Sequence, residues 1–140
     1  MATRASIKFK DSDGKFLANV YHHYDGYPSG LGVKLLELTD YKMVNGMGLT
    51  DEKVFNGFGC LVASVIEGLK GGQSGNVYMY SEDDYGNAGE EYLYEVRECR
   101  GGCEIFVLTH CDDSNMNSGI HMVERLLVNV LDKDNVNHAK

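Results

Sequence analysis

The sequence predicts a single α+β domain: an antiparallel sheet of about five strands with helices packed on one face. Three observations carry this expectation. Short segments with apolar residues at every second position occur on both sides of the chain's middle. The middle itself has apolar residues at helical spacing, opened by hydroxyl and acidic residues and closed by glycine. Neighbouring strand segments are joined by tight turns, which require antiparallel partners. The chain has 140 residues, close to the commonest size of one domain. No linker, internal repeat or low-complexity segment divides it. The domain is expected to span 1–140, with a polar, frayed tail at 132–140.

The elements follow in order. Residues 5–10 alternate apolar and polar and read as a strand, and Asp13-Gly14 supplies the hairpin turn. Phe16, Ala18 and Val20 alternate along the returning strand. Residues 21–32 read as a loop, after which Ser29 is positioned to cap a short helix with Leu31, Leu35 and Leu38 on one face. Thr50 reads as a second helix cap, with Asp51 and Glu52 at the positive end of the helix dipole. Val54, Phe58, Leu61 and Val65 form one stripe of that helix, and Phe55, Val62, Ile66 and Leu69 form an adjacent one. Such a wide apolar surface predicts a buried central helix over 51–70, ended by Gly71 and Gly72. Gly57 and Gly59 then fall inside it, where close packing is their expected role. Strands are expected at 77–81, 91–97 and 104–110, the last two joined by a turn at Arg100 to Gly102. Met116, Ile120, Val123, Leu127 and Val130 predict a C-terminal amphipathic helix.

Composition narrows the function classes. The formal net charge of -8 argues against nonspecific nucleic-acid binding, which depends on neutralising phosphates. The longest strongly apolar run, Cys60 to Ile66, is too short for a membrane span. The N-terminal residues lack the apolar core of a signal peptide, so the expected location is cytoplasmic. The four cysteines then read as free thiols. Cys99 and Cys103 flank the turn at Arg100 and are expected to face each other across the hairpin, within disulfide range. Cys111 would lie about 25 Å from Cys103 along the strand, which argues against a shared zinc site. Cys60 reads as a core residue.

The most unusual stretch is 21–32. It gathers His22 and His23, Tyr21, Tyr24 and Tyr27, Asp25 and three glycines around Pro28. A turn needs only Gly26 and Pro28. The other groups can stack, donate and accept hydrogen bonds, which makes Tyr21, His23, Tyr24, Asp25 and Tyr27 the candidate ligand- or partner-binding residues. His23 and Asp25 are also placed to orient one another. The bland reading is a structured turn in which the tyrosines simply pack. The acidic loop with Glu82, Asp83, Asp84, Glu90 and Glu91 lacks the spacing of a calcium loop and reads as solvated.

The pattern Tyr21-x-His23-Tyr24-Asp25-Gly26-Tyr27-Pro28-x-Gly30-x-Gly32 resembles a motif of small uncharacterised phage and prophage proteins. Those proteins carry Trp where this chain has Tyr24. Stretches from Met43 to Gly46, Phe55 to Leu61 and Gly89 to Tyr94 resemble the same family, so the resemblance covers about residues 5–97. It implies a phage context and no particular activity.

Phosphate-loop, nucleophile-elbow and His-Glu-x-x-His signatures are absent from the sequence. The leading expectation is a non-enzymatic binding protein, a phage accessory or anti-defence factor acting in the host cytoplasm. It would sequester a host protein or a small nucleotide-like ligand, with no cofactor and no metal. Self-association into a homo-oligomer is compatible with this reading. The rival is a small hydrolase-type enzyme using His22 or His23 with Asp25.

Overall fold

The computed structural model describes residues 2–44, 46, 54–100 and 102–109. The expected cap at Thr50, the C-terminal helix, the tail and Cys111 lie outside these residues.

The N-terminal hairpin forms as its alternation requires: β1 (Ala5–Lys10) and β2 (Phe16–His22) pair antiparallel. Asp11 organises the turn, its side chain accepting from the backbone N–H groups of Asp13 and Lys15, and Gly14 adopts a positive φ of 80°. β5 (Val77–Tyr80), β6 (Tyr92–Cys99) and β7 (Gly102–Thr109) complete a five-stranded sheet in the order β5-β2-β1-β6-β7. The fold is thus a single α+β domain with five principal strands, as expected.

One pairing departs from the antiparallel expectation. β1 and β6 run parallel, Ile7 opposite Tyr94 and Phe9 opposite Val96, so the sheet is mixed. Neighbours in sequence do not reveal this, because β6 joins β1 from more than eighty positions away. β5 and β6 flank the β1–β2 hairpin on its two sides. The chain between them must therefore cross one face of the hairpin, and residues 81–91 make that crossing. Tyr85 lies over Lys8 and donates its hydroxyl to the Tyr94 carbonyl. Asn19 reaches the Ser81 carbonyl at 2.8 Å. Glu90, expected to be solvated with the rest of this acidic loop, is only 3% exposed. Its carboxylate accepts from Ser6 Oγ at 2.7 Å, Gly86 N at 2.9 Å and Ala88 N at 2.7 Å. Glu82, Asp83 and Asp84, in a 3-10 turn, are exposed as expected.

The other face carries the helices. Ile7, Phe9, Val20, Tyr94, Val96 and Val107 project from the sheet into one core with Leu35, Leu61 and Val65. The first helical segment begins at Pro28 rather than after a Ser29 cap. Residues Pro28–Gly32 form a π-helical turn with proline at its start, and α1 (Val33–Thr39) follows directly. Proline's fixed φ and missing N–H suit a first helical turn, so no side-chain cap is needed.

The central region corrects the expected helix over 51–70. Val54–Asn56 form a short strand, β4, paired in parallel with β3 (Lys42–Val44). Of the described residues in this span, only Phe58–Lys70 are helical (α2). Gly57 separates them with a φ of 87°, a conformation that glycine adopts at little steric cost. Val54 and Phe55 therefore belong to a strand, and the second apolar stripe narrows. α2 buries Phe58, Leu61, Val62, Val65 and Leu69 and exposes Gly59, Ala63 and Glu67, so it is an amphipathic covering helix. The close approach expected at Gly57 and Gly59 occurs instead at Gly68. A Cβ there would stand 2.5 Å from Leu38 Cδ2, whereas nothing lies within 4 Å of one at Gly57 or Gly59.

Candidate functional site

β2 divides the predicted site between the two faces of the sheet. Successive side chains of a strand point in opposite directions. Tyr21 and His23 therefore leave on the helix-free face, the open face, which residues 81–91 cross in part, while His22, opposite Ala5, leaves on the helical side. The two histidines cannot serve one centre.

On the open face Tyr21 is the hub. Its ring stacks on Tyr80, with centroids 5.1 Å apart and planes at 14°, and lies 6.0 Å from Tyr78. Its hydroxyl hydrogen-bonds His23 Nδ1 at 2.8 Å. Tyr24 meets the His23 ring edge-on at 4.7 Å. Burial raises the Tyr21 pKa, opposed by the Arg4 guanidinium beside it. Tyr21 itself is buried, but Tyr24, Tyr78 and Tyr80 are 51%, 44% and 36% exposed. The result is an aromatic platform with a hydrogen-bonded underside. Arg4 at its inner margin is held by Glu91, whose Oε2 also accepts from the Arg4 backbone N–H at 2.6 Å.

Tyr78 and Tyr80 were not among the sequence-predicted residues. A signal for them exists, since Tyr78-x-Tyr80 has the two-residue period that places both rings on one face. What it lacks is the pairing. Only the register Tyr21 opposite Tyr78 and Asn19 opposite Tyr80 brings these rings to the predicted loop.

Asp25 and Tyr27 lie on the helical side of the loop. Asp25 is the single non-glycine described residue with positive φ, at 54°. Its carbonyl accepts from Leu31 N at 3.0 Å, and its side chain accepts from the Tyr27 hydroxyl at 3.3 Å. His23 is therefore paired with Tyr21 and Asp25 with Tyr27, in place of the expected His23–Asp25 pair. Gly26 fastens the loop to the sheet. Its N–H donates to the Thr3 carbonyl at 2.9 Å and its carbonyl accepts from the buried Tyr94 hydroxyl at 2.6 Å.

Asp25 also borders a cavity of about 250 Å³, together with His22, Gly30, Leu31, Lys34 and Leu69. Burial lowers the His22 pKa, against opposing pulls from the Tyr24 backbone and the Asp25 carboxylate. The imidazole is thus biased to its neutral form, which can accept a proton.

The cysteines do not face each other as expected. Cys99 pairs with Gly102 and Cys103 with Glu98, so the two side chains leave opposite faces of the hairpin. Both are free thiols. Burial pushes the Cys103 thiol up to about 11, which makes it a poor nucleophile at neutral pH. Cys60 is half-buried beside the core. Among the described residues no group of three His, Cys, Asp or Glu side chains is placed to hold a metal ion, and no helix is long and apolar enough to cross a membrane.

No protein-family model matches the chain, and neither a curated protein nor a solved structure matches it.

Proposed function

We propose that this is a binding protein whose contact surface is the open-face aromatic platform, and that its partner is a protein presenting basic side chains. The observation that carries this reading is the gathering of Tyr24, Tyr78 and Tyr80, all exposed, around the hydrogen-bonded Tyr21–His23 pair. Rings held by stacking lose little entropy on binding, and tyrosine is enriched at the energetic centres of interfaces. The surroundings favour a cation. Glu82, Asp83 and Asp84 follow Tyr80 after Ser81 alone, and the whole chain has a net charge of -8. An arginine or lysine from the partner can stack on a tyrosine face while its charge is met by these carboxylates.

A nucleotide-like ligand would use the same rings for stacking. Its phosphates would meet more carboxylates than free cations, since Arg4 is engaged by Glu91 and Lys70, beside Tyr78, by the Val77 carbonyl. A phage setting, which the motif resemblance suggests, would make the partner a host protein and the activity one of sequestration in the host cytoplasm. A second reading, the small hydrolase-type enzyme, draws on one observation: His22 and Asp25 line the same cavity, with Lys34 at its wall.

Affinity capture from host lysate tests the main reading. The expected result is one discrete basic partner, lost in the triple variant Tyr24→Ser, Tyr78→Ser, Tyr80→Ser and released by salt, with little change in melting temperature. Retention of the partner by the triple variant would refute it. Loss of binding in His22→Gln, with the tyrosines intact, would move the function to the cavity.

A further inference from the structure

Among the described residues β5 is an edge strand, bonded to β2 on one side only. Which of its backbone groups face outward follows from the ladder. His23 N–H donates to the Asn76 carbonyl at 2.9 Å, and bonded pairs alternate along an antiparallel ladder. Tyr78 opposite Tyr21 and Tyr80 opposite Asn19 are therefore the inward-bonding residues. The N–H and C=O groups of Val77 and Met79 point away from the sheet. The Val77 carbonyl is taken by Lys70 Nζ at 3.1 Å, and the remaining three outward groups have no protein partner among the described residues.

Proteins ordinarily guard such an edge with a charge, a proline or a bulge. Val77–Tyr80 contains none of these, and Met79 is 59% exposed. β7, at the opposite edge, carries the exposed Glu104.

We propose that β5 is a dimerisation edge: two copies pair antiparallel through Val77–Tyr80, joining their sheets into one with both aromatic platforms on the same face. A two-fold axis at Tyr78 sets Val77 of each copy against Met79 of the other. Outward-bonding residues then meet outward-bonding residues, as a ladder requires. The two Tyr78 side chains stand opposite each other at a non-bonded position, where cross-strand rings approach most closely. The contact is isologous, so it closes on itself.

Charge selects the direction. Lys70 lies at the Val77 end of β5, bonded to the Val77 carbonyl and 5.9 Å from the Tyr78 ring, and the exposed Glu82, Asp83 and Asp84 follow the Tyr80 end. Antiparallel pairing places each copy's acidic turn at the end of the junction that holds the other's Lys70. A parallel arrangement would set acid beside acid. The paired segment is short, so the dimer is a concentration-dependent one at the small end of interface sizes. It does not depend on what the platforms bind.

Sedimentation equilibrium of the full chain, without any partner and from micromolar to millimolar concentration, tests this. The wild type is expected to pass from monomer to dimer. Met79→Pro removes an outward N–H that β2 does not use, and Met79→Lys places a charge on the edge. Both variants are expected to stay monomeric across the range with the far-UV circular dichroism of the wild type. Leu17→Lys, which changes an exposed apolar residue outside the β2–β5 pairing, is expected to dimerise normally. If Met79→Pro misfolds, Met79→Lys decides. A wild type that is monomeric throughout would overturn the proposal, as would higher assemblies that show pairing with other strands. So would a dimer that survives in a folded Met79 variant. Partner capture by the tyrosine triple variant is scored separately, so failure of one reading is not failure of the other.

Discussion

Replacing Glu90 by Gln changes one atom of a side chain that ties the crossing segment 81–91 to β1. The carboxylate accepts three hydrogen bonds, from the Ser6 hydroxyl and from the backbone N–H groups of Gly86 and Ala88. A primary amide has one acceptor oxygen. If that oxygen takes the Oε2 position it keeps Ser6 and Gly86, and Ala88 N–H faces an NH2 group. In the reverse orientation Gly86 N–H faces it. Either way at least one backbone donor is opposed by another donor, and the surviving bonds lose the strength conferred by the charge. Bonds to charged groups contribute about 1.5–3 kcal/mol each, and an unsatisfied buried donor costs about 1–3 kcal/mol. Relief of the buried charge offsets part of this. The expected loss is about 2–4 kcal/mol, and Glu90→Ala should lose at least as much.

The pH dependence carries a second signature of the same carboxylate. Burial alone would raise its pKa, but the hydrogen bonds from Ser6, Gly86 and Ala88 outweigh that and hold it below the ordinary value of 4.5. The unfolded chain then binds the proton more readily than the folded one. The stabilisation is complete above the unfolded value and disappears as pH falls from it through the folded value. Urea denaturation followed by circular dichroism, at neutral pH and at steps down to about pH 3, reads both effects. The Gln variant should be less stable at neutral pH and should lose less than the wild type on acidification. A Gln variant within about 0.5 kcal/mol of the wild type at neutral pH, or one with an unchanged acid limb, would refute the reasoning.

Other perturbations test the core and the loop attachment. Phe58→Ala, at the buried start of α2, should destabilise by about 3–5 kcal/mol in the same urea assay, and a shift under about 1 kcal/mol would contradict its place in the core. Gly26→Ala should cost about 1–3 kcal/mol, because the new methyl would stand 2.7 Å from Ala5 Cβ and 2.8 Å from the Thr3 carbonyl, neither of which can swing aside. Gly68→Ala meets only the tip of Leu38, a flexible side chain, so it should be the milder of the two. Equal losses at both positions would show that the loop is not pinned to β1 as described.

The hairpin of β1 and β2, the last two strands and the existence of a helix ending at Gly71 were legible in the sequence. Each depends on local physics: alternation along a strand, helical spacing, and the turn chemistry of Gly and Pro. The start of α2 was misread for a reason of the same kind. Val54 and Phe55 fit the helical stripe as well as Phe58 does, and a short apolar strand cannot be told from a helical turn by periodicity. Only pairing with β3 and the positive φ at Gly57 separate the two.

What tertiary structure alone decided is the set of contacts between distant segments. The parallel β1–β6 pairing sends residues 81–91 across the hairpin, and that route turns Glu90 from a solvated acid into a buried structural one. The β2–β5 register brings Tyr78 and Tyr80 to Tyr21, and so builds a platform that no contiguous motif encodes. The sequence by itself determined which side chains share a face of each element, because that is set by backbone periodicity. It did not determine which faces meet, because those contacts join residues far apart in the chain and depend on how all the elements pack at once.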